Sequence, residues 1–186
     1  GAGTPAGYAD DEYAAAGAKL IDDRDQIFKQ AEIILQVRTA GANPDNGSDD
    51  DSLLREGQTL VGMCDPLLGA GVMQGLADRG VASFALELLP RITRAQSMDV
   101  LSSQASIAGY KAVLAAAAQL PRMCPMMMTA AGTIAPARFF VLGAGVAGLQ
   151  AIATAKRLGA VVWSYDVRPA VKEEVLSLGA KFLEIE

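Results

Sequence analysis

Residues 139–148 have the sequence FFVLGAGVAG, in which an apolar run meets the glycine pattern G-x-G-x-x-G. A helix-favouring stretch follows over residues 149–158, and Gly159 separates it from a second apolar run at residues 160–163. That run leads to an acidic residue, Asp166. A dinucleotide-binding βαβ unit has the same parts in the same order: a strand, a glycine-rich turn, a helix and a second strand that ends in an acid. The stretch therefore predicts a parallel α/β sheet with a dinucleotide site at its strand ends.

The three glycines of the motif have different predicted roles. Gly143 allows the tight turn off the strand, Gly145 lets a pyrophosphate approach the backbone, and Gly148 lets the helix pack close to the strand. Val146 and Ala147, between the second and third glycines, are also predicted to bind the cofactor. Their N–H groups, together with the partial positive charge of a helix N-terminus, favour a bound phosphate.

Asp166 predicts which dinucleotide binds. It follows Gly148 at close to the ~20-residue spacing of the acid that holds the adenosine ribose. A 2′-phosphate beside this carboxylate would meet like charge, at a cost of about 4 kcal/mol for a 4 Å separation in a surface-like dielectric, so we expect NAD rather than NADP. Arg168 is the opposing feature, because an arginine near this position can serve a 2′-phosphate. Asp166, Val167 and Arg168 complete the predicted cofactor-binding residues; the alternative is an ordinary strand-turn-helix with a surface aspartate.

The overall composition is that of an ordinary globular protein and narrows the classes of partner. The 186 residues have room for one domain or two small ones, with 51% hydrophobic and 20% charged residues. The net charge of −5 and the pI of about 4.8 argue against nucleic acid and anionic lipid. Cys64 and Cys124 form no C-x-x-C, and the sequence has no histidine to complete a zinc site. We therefore predict two buried thiols and no metal.

The absence of histidine from these 186 residues also bears on the chemistry. Dehydrogenases that act on alcohols or hydroxy acids need a group that moves a proton together with the hydride, very often a histidine. The Tyr-x-x-x-Lys pattern that some oxidoreductases use instead is absent too. Either Asp, Glu, Lys or water moves the proton, or the reaction moves none, as in hydride exchange between two nicotinamides.

Strand-like and helix-like stretches alternate along the rest of the chain and predict a parallel sheet. We expect strands at residues 19–21, 32–37 (buried), 59–63, 81–87 and 181–185. We expect helices at residues 13–16 (capped by Asp10), 22–31, 52–56, 72–78, 98–120 and 170–178. Small residues at three- and four-residue spacing in the long helix predict close approach of another helix. Residues 41–51 are expected to be a solvated polar loop, and the three methionines at 126–128 gap-filling core.

Pro121 and Pro125 end the long helix and indicate a boundary between two lobes. We interpret residues 1–120 as an N-terminal α/β lobe that includes the long connecting helix. Residues 121–186 are then the first half of an NAD-binding Rossmann domain. The predicted fold class is α/β, with two Rossmann-like lobes that contain parallel sheets. Because a full dinucleotide site has a second half, we expect both lobes to be truncated, the first of them lacking its first strand-helix unit.

A second polar cluster lies between an apolar strand and the start of the long helix. It contains Arg91, Gln96, Asp99 and Ser102, and strand-end loops of this kind line the ligand sites of α/β proteins. The carboxamide of Gln96 is able to bond another carboxamide, such as that of nicotinamide. Helix capping is the alternative, since Thr93-x-x-Gln96 fits a capping box, and the pattern alone does not decide between the two.

Four segments resemble the NAD(H)-binding component of proton-translocating NAD(P) transhydrogenase, in the alanine dehydrogenase/transhydrogenase family: residues 91–104, 107–110, 125–133 and 143–158. The resemblance implies that Arg91, Gln96 and Asp99 surround the nicotinamide ring of NAD and that Ser102 contacts its carboxamide. These four are the candidate catalytic residues. The resemblance also implies that Asp166 holds the adenosine ribose.

The resemblance further implies hydride transfer between NAD(H) on this chain and NADP(H) on a separate component, coupled to proton translocation by a membrane component. The implied state is a homodimer without nucleic acid, peripheral on the cytoplasmic face of a bacterial inner membrane or on the matrix side in mitochondria. The family's loop that closes over NAD would follow Glu186, so we expect residues 1–186 alone to be inactive. An alanine-dehydrogenase-like oxidoreductase is one alternative, although its catalytic histidine has no counterpart here. A non-catalytic NAD-binding module is the other.

Overall fold

The computed structural model describes residues 3–45 and 47–185, and the chain divides into two compact units, Gly1–Met98 and Asp99–Glu186. Each unit contains a parallel sheet with helices in its connections, which confirms the predicted α/β class. The first unit contains α1 (Asp10–Ala15), α2 (Arg24–Gln30), β1 (Ile33–Arg38), α3 (Gly47–Leu53), β2 (Thr59–Met63), α4 (Ala70–Asp78) and β3 (Ala82–Ala85). The second contains α5 (Val100–Gln119), β4 (Met127–Thr129), β5 (Gly132–Ile134), β6 (Arg138–Leu142), α6 (Val146–Arg157), β7 (Val161–Tyr165), α7 (Lys172–Ser177) and β8 (Lys181–Phe182). Short 3₁₀ helices lie at Thr4–Ala6, Leu86–Leu88, Thr93–Met98 and Pro169–Val171.

The first unit is built on three parallel strands in the order β1-β2-β3. Ile34 of β1 and Leu60 of β2 are buried in a core that also contains Phe28 of α2 and Leu76 of α4. These helices therefore cover the face of the sheet that carries Ile34.

β1 differs from the buried strand that the sequence predicted. Exposed side chains occupy every second position of the strand, at Ile33, Leu35 and Val37, and Val37 is 86% exposed. Ile34, which points to the other face, is buried. Successive side chains of a strand point to opposite faces of a sheet, so a continuous apolar run is buried only where both faces are covered. The described residues cover the face that carries Ile34.

Two other strand predictions need correction. Residues 19–21 have no regular secondary structure, and the strand predicted at residues 181–185 is limited to β8. β8 pairs with β7 only at Lys181 and Phe182. A strand exists only where its backbone finds a neighbour to bond, which a short apolar run does not reveal. At the start of α1, Asp10 is the first helical residue rather than the cap, and the N–H of Ala9 donates to Glu12 Oε2 at 2.8 Å.

The acidic run within residues 41–51 is not the solvated loop that its composition predicted. α3 begins inside it, and the Asp50 side chain is only 2% exposed. Arg24 Nε donates to Asp50 Oδ1 at 2.6 Å, and Gln36 Nε2 donates to Asp50 Oδ2 at 2.8 Å. Burial acts to raise the pKa of Asp50, but the hydrogen bonds from Arg24 and Gln36 outweigh it and hold that pKa below its usual value. Asp50 thus ties α3 to α2 and β1.

The second unit has its own parallel sheet, in the order β6-β7-β8. α6 and α7 pack on it through a core in which Ile152, Ala155, Val162 and Val175 are almost fully buried. This arrangement holds the carboxyl ends of β6 and β7 side by side, since Leu142 is in register with Tyr165.

α5 packs against α6 at Gly109, as the small residues of the long helix predicted. A Cβ atom at Gly109 would lie 2.1 Å from the carbonyl oxygen of Ala147, at the start of α6. This distance is too short for any side chain at position 109, so a larger residue would fit there only if one helix moved. Neither α5 nor any other helix within the described residues is long and apolar enough to cross a membrane.

The methionines at residues 126–128 do not fill the core. Met127 begins β4, which pairs antiparallel with β5 in a short hairpin. Met126 and Met128 are exposed, so the prediction of gap-filling core was wrong. Their hydrophobicity indicated burial, but the hairpin of which they are part presents them to solvent.

The two cysteines, both predicted to be buried, differ in their environments. Cys64 is buried and Cys124 is only partly buried. Burial is the main cause that raises the pKa of the Cys64 thiol. The backbone N–H groups of Cys64 and Asp65 both donate to Glu87 Oε1, the first at 2.8 Å. Glu87 therefore joins the ends of β2 and β3, a role that its sequence position did not suggest.

Candidate functional site

The glycine-rich turn joins β6 to α6 in the second unit. Gly143 follows the last residue of β6 and has φ of +91°, a left-handed conformation that favours glycine. Its N–H donates to the carbonyl oxygen of Tyr165 at 2.8 Å, which fixes the turn to the end of β7. Ala144 is almost fully buried and points into the core. The turn is therefore held from both strands.

Gly145 and Gly148 occupy different surroundings. A Cβ at Gly148 would lie 1.8 Å from the carbonyl oxygen of Gly143, so the close approach of helix and turn requires glycine there. At Gly145 the φ of −78° is open to any residue, and no other atom of the described residues, chain neighbours aside, lies within 4 Å of an added Cβ. Neither backbone conformation nor packing within this described part explains a glycine at position 145.

The N-terminus of α6 opens directly from this turn. The first intrahelical bond runs from the N–H of Leu149 to the carbonyl oxygen of Gly145, at 2.8 Å. The N–H groups of Val146, Ala147 and Gly148 precede it, and the capping position is Gly145, which has no side chain to satisfy them. These N–H groups and the helix dipole make the turn a suitable place for an anionic group.

Asp166 lies at the end of β7, next to the turn. Its Oδ2 accepts the N–H of Ala144 at 2.7 Å. Its Oδ1 accepts the N–H of Arg168 at 2.8 Å, and the guanidinium of Arg168 adds bonds of 3.0 Å to Oδ1 and 3.1 Å to Oδ2. The Asp166 side chain is 6% exposed and that of Arg168 58%. Hydrogen bonds from Arg168 and then from the N–H of Ala144 hold the pKa of Asp166 far below its usual value, so it is ionised at neutral pH.

Of the remaining residues predicted around the cofactor, Val146 and Val167 have exposed side chains and Ala147 is partly buried. Val167, between Asp166 and Arg168, is among the most exposed apolar residues of the unit, and Val146 is about half exposed at the helix start. The structure thus brings together the glycine turn, the first turn of α6 and the acid. Sequence reasoning missed the bond between the N–H of Ala144 and Asp166, for which the only signal was that both follow neighbouring parallel strands.

The second polar cluster is divided between the two compact units. Arg91 and Gln96 belong to the first unit and are exposed; Gln96 lies within the 3₁₀ helix Thr93–Met98. Asp99 belongs to the second unit and caps α5: its Oδ1 accepts the N–H of Ser102 at 3.0 Å, and its Oδ2 accepts the Ser102 hydroxyl at 2.6 Å. Helix capping is therefore observed at Asp99, with Ser102 as its direct partner. The capping considered for this cluster was a different one, a Thr93-x-x-Gln96 box, and Thr93 is already the first residue of the 3₁₀ helix.

These elements define a nucleotide-binding unit of the Rossmann type: a strand, a glycine turn, a helix that begins at the turn, and a second strand that ends in an ionised acid. The chain belongs to the alanine dehydrogenase/PNT family. The family's N-terminal domain matches residues 1–108, and its C-terminal domain matches residues 112–186.

Relatives with curated names agree with this family. The chain is 49% identical, over all of its 186 residues, to the first part of NAD(P) transhydrogenase subunit alpha of Rhodospirillum rubrum, and covers 48% of that protein. It is 32% identical to alanine dehydrogenase of Halomonas elongata, over 89% of this chain and 43% of the relative. A solved structure of transhydrogenase from Sinorhizobium meliloti superposes with a TM-score of 0.90 at 52% identity, over 100% of this chain and 51% of that one. This chain thus spans about half the length of the relatives it matches.

Proposed function

We propose that this chain is the NAD(H)-binding part of an NAD(P) transhydrogenase, which exchanges hydride between NAD(H) and NADP(H). The observation that carries the proposal is the ionised Asp166 at the end of β7, bonded at 2.7 Å to the N–H of Ala144 inside the glycine turn. Five curated relatives named as transhydrogenase alpha subunits, 41–49% identical, support the same function.

The residues of the turn fit a dinucleotide. Because nothing within residues 3–45 and 47–185 requires glycine at position 145, we infer that this position leaves room for the pyrophosphate. In this proposal the phosphates lie against the turn and the start of α6, at Gly143, Gly145, Val146, Ala147 and Gly148. Asp166, with Val167 and Arg168 beside it, holds the adenosine ribose. When bound, NAD(H) supplies the reacting hydride, and the chain binds and orients it.

The preference for NAD over NADP rests on the charge of Asp166. An ionised carboxylate accepts hydrogen bonds from both ribose hydroxyls, whereas a 2′-phosphate brings a second negative charge to the same place. The low pKa of Asp166 keeps this charge present at neutral pH.

Arg91, Gln96, Asp99 and Ser102 are the residues that we propose for the nicotinamide end. Arg91 and Gln96 are exposed, so their side chains are free to turn toward a ligand. Ser102 donates its hydroxyl hydrogen to Asp99, which directs the remaining lone pairs of the Ser102 oxygen outward as acceptors for a carboxamide N–H. The role of these residues is positioning, since placing a donor and an acceptor accounts for much of such a reaction.

The partners follow from the same proposal. A second protein component holds NADP(H), and a membrane component translocates protons. The NAD(H)-binding part forms a homodimer. It lies at the cytoplasmic face of a bacterial inner membrane, or at the matrix side in mitochondria. The names of the relatives, which describe an alpha subunit or the first portion of one, support an assembly of several subunits.

A reconstituted assay tests the proposal. The protein, expressed at the length that its gene encodes, is mixed with NADH, an NADP analogue and a separately purified NADP(H)-binding component of a transhydrogenase. We expect hydride transfer only when that component is present. Absence of transfer, with NADH bound and all components folded, would support a non-catalytic NAD-binding module instead.

Alanine dehydrogenase is the second candidate, because one such enzyme is 32% identical over 89% of this chain. The same preparation is therefore assayed with NADH, pyruvate and ammonia, without any NADP(H)-binding component. We expect no turnover. Efficient turnover of these substrates would replace the transhydrogenase proposal with the alanine dehydrogenase one.

A further inference from the structure

The Asp166 carboxylate accepts four hydrogen bonds, two on each oxygen. Oδ1 accepts from the N–H and Nε of Arg168, at 2.8 and 3.0 Å. Oδ2 accepts from the N–H of Ala144 and from Nη2 of Arg168, at 2.7 and 3.1 Å. A carboxylate offers about four acceptor positions, so this arrangement uses all of them.

We propose that the guanidinium of Arg168 competes with the ribose hydroxyls of NAD(H) for Asp166, and thereby limits both the affinity for NAD(H) and the discrimination against NADP(H). This inference rests on the proposed function, in which Asp166 binds the adenosine ribose. It assigns to Arg168 a role in specificity that differs from simple contact with the nucleotide.

The four donors differ in whether they can leave. The N–H groups of Ala144 and Arg168 are backbone donors, fixed by the turn and by the chain that follows β7. The guanidinium belongs to a side chain that is 58% exposed, so it can rotate into solvent. Two ribose hydroxyls need two acceptor positions on the Asp166 carboxylate. The two positions that can become available are those now occupied by the guanidinium of Arg168.

The displaced guanidinium has another carboxylate nearby. The pKa of Arg168 is raised chiefly by its hydrogen bonds to Asp166, and the negative charge of Glu174 contributes in the same direction. Glu174 lies in the first turn of α7, so a guanidinium released from Asp166 still has a negative charge in its surroundings.

The charge of Arg168 acts on the choice between the two dinucleotides. While it is bonded to Asp166, it cancels much of the negative charge that would repel a 2′-phosphate. Once displaced, a guanidinium is a good partner for that phosphate. Ribose hydroxyls gain nothing comparable from it, so Arg168 disfavours NAD(H) relative to NADP(H) through both effects.

The test compares Arg168→Gln with Arg157→Gln in the protein at the length that its gene encodes. Arg157 is an exposed arginine in the last turn of α6, at the opposite end from the glycine turn, and its replacement removes the same charge. Dissociation constants for NADH and NADPH are measured by titration of nucleotide fluorescence, and melting temperatures without nucleotide confirm folding. We expect Arg168→Gln to bind NADH roughly two- to fivefold more tightly, as for release of an ion pair whose arginine is exposed, and NADPH more weakly. Arg157→Gln should change neither by as much as twofold.

A double-mutant cycle assigns the effect to Asp166. In an Asp166→Asn background, where the ion pair is absent, Arg168→Gln should change NADH affinity by less than twofold. Weaker NADH binding by Arg168→Gln in a folded protein would overturn the inference and make Arg168 a contact of NAD(H). Unchanged affinities for both nucleotides would overturn it too. If the wild-type protein binds no NADH, the proposed function fails first, and this inference with it.

Discussion

Asp166 connects the two parts of the proposed NAD site, because one carboxylate oxygen accepts the N–H of Ala144 while the side chain lies at the end of β7. Asn at this position keeps an oxygen acceptor for Ala144 but removes the charge and one acceptor for the ribose. We expect Asp166→Asn to weaken NADH binding by about tenfold or more and to lower the melting temperature, though by less than Asp166→Ala does. Asp166→Ala should lower both. Titration and thermal unfolding distinguish these effects, and equal NADH affinity in wild type and Asp166→Asn would contradict the ribose assignment.

The low pKa of Asp166 also predicts how stability depends on pH. Because its pKa is lower in the folded state than in the unfolded chain, where it is about 3.9, the unfolded chain takes up the proton first as pH falls. The contribution of the carboxylate is therefore complete at neutral pH, decreases below about pH 4 and is lost as pH falls through the folded-state pKa. Denaturant unfolding of wild type and Asp166→Asn measures it. The difference in unfolding free energy should shrink as pH falls from 4 to 2; a constant difference would contradict the prediction.

Asp50 is a buried carboxylate of the first unit. Its side chain is 2% exposed and bonded to Arg24 and Gln36. Asp50→Ala removes these bonds and leaves Gln36 without this partner, so we expect a loss of about 1–3 kcal/mol of unfolding free energy. Asp49→Ala, an exposed change in the same helix, is the control and should cost less than about 0.5 kcal/mol. Similar losses for both variants in denaturant unfolding would show that Asp50 behaves as a solvated residue.

At the scale of elements, Gly145 and Gly148 separate ligand binding from packing. An added Cβ at Gly148 would meet the carbonyl oxygen of Gly143 at 1.8 Å, so Gly148→Ala should cost about 1–3 kcal/mol of stability and also impair NADH binding. An added Cβ at Gly145 meets no atom within 4 Å in the part of the chain that the structure describes, its chain neighbours aside. Gly145→Ala should therefore change stability by less than about 0.5 kcal/mol and weaken NADH binding by about tenfold. Full NADH affinity in Gly145→Ala would remove the argument that this position faces the pyrophosphate.

Replacement by alanine should change stability in opposite directions at two helical glycines, because Gly109 lies in the contact between α5 and α6 and Gly75 does not. Gly109→Ala places a Cβ 2.1 Å from the carbonyl oxygen of Ala147, which forces the helices apart, and we expect a loss of about 1–3 kcal/mol. At Gly75 in α4, an added Cβ has no atom of the other described residues within 4 Å, the backbone of its own helix aside. Gly75→Ala should raise stability by about 0.5–1 kcal/mol, because alanine favours the helix. Thermal unfolding of both variants checks the pair, and a stabilised Gly109→Ala would contradict the helix contact.

At the scale of the whole molecule, the exposed side chains of Arg91 and Gln96 test whether the second polar cluster serves the reaction. Asp99 is unsuitable for this test because it caps α5. If Arg91 and Gln96 position the nicotinamide, Arg91→Ala and Gln96→Asn should each lower turnover in the reconstituted assay more than tenfold, which needs only about 1.4 kcal/mol of lost positioning. Melting temperatures should stay near that of the wild type. Lower melting temperatures with unchanged turnover per folded molecule would support a purely structural role.

The sequence by itself determined the nucleotide-binding unit. β6, the turn at Gly143, α6 and β7 were predictable because each depends on local causes: an apolar run, a glycine that adopts a positive φ, and a helix that begins beside it. The position of Asp166 at the end of β7 follows from the same local order. The close contact of α5 with α6 was also predictable, since small residues recur at helical spacing.

Only the tertiary structure decided which residues each side chain meets. The burial of Asp50 depends on Arg24 and Gln36, which are distant in sequence, so its acidic neighbourhood indicated a solvated loop instead. Other side chains are exposed because the face of the sheet or hairpin on which they lie is not covered, as for Ile33, Leu35 and Met128. The apolar character of a residue does not show which face will be covered. The four hydrogen bonds on Asp166 likewise require the turn after β6 and the end of β7 to meet. Backbone preferences are local, whereas burial and hydrogen-bond partners are set by contacts between distant parts of the chain.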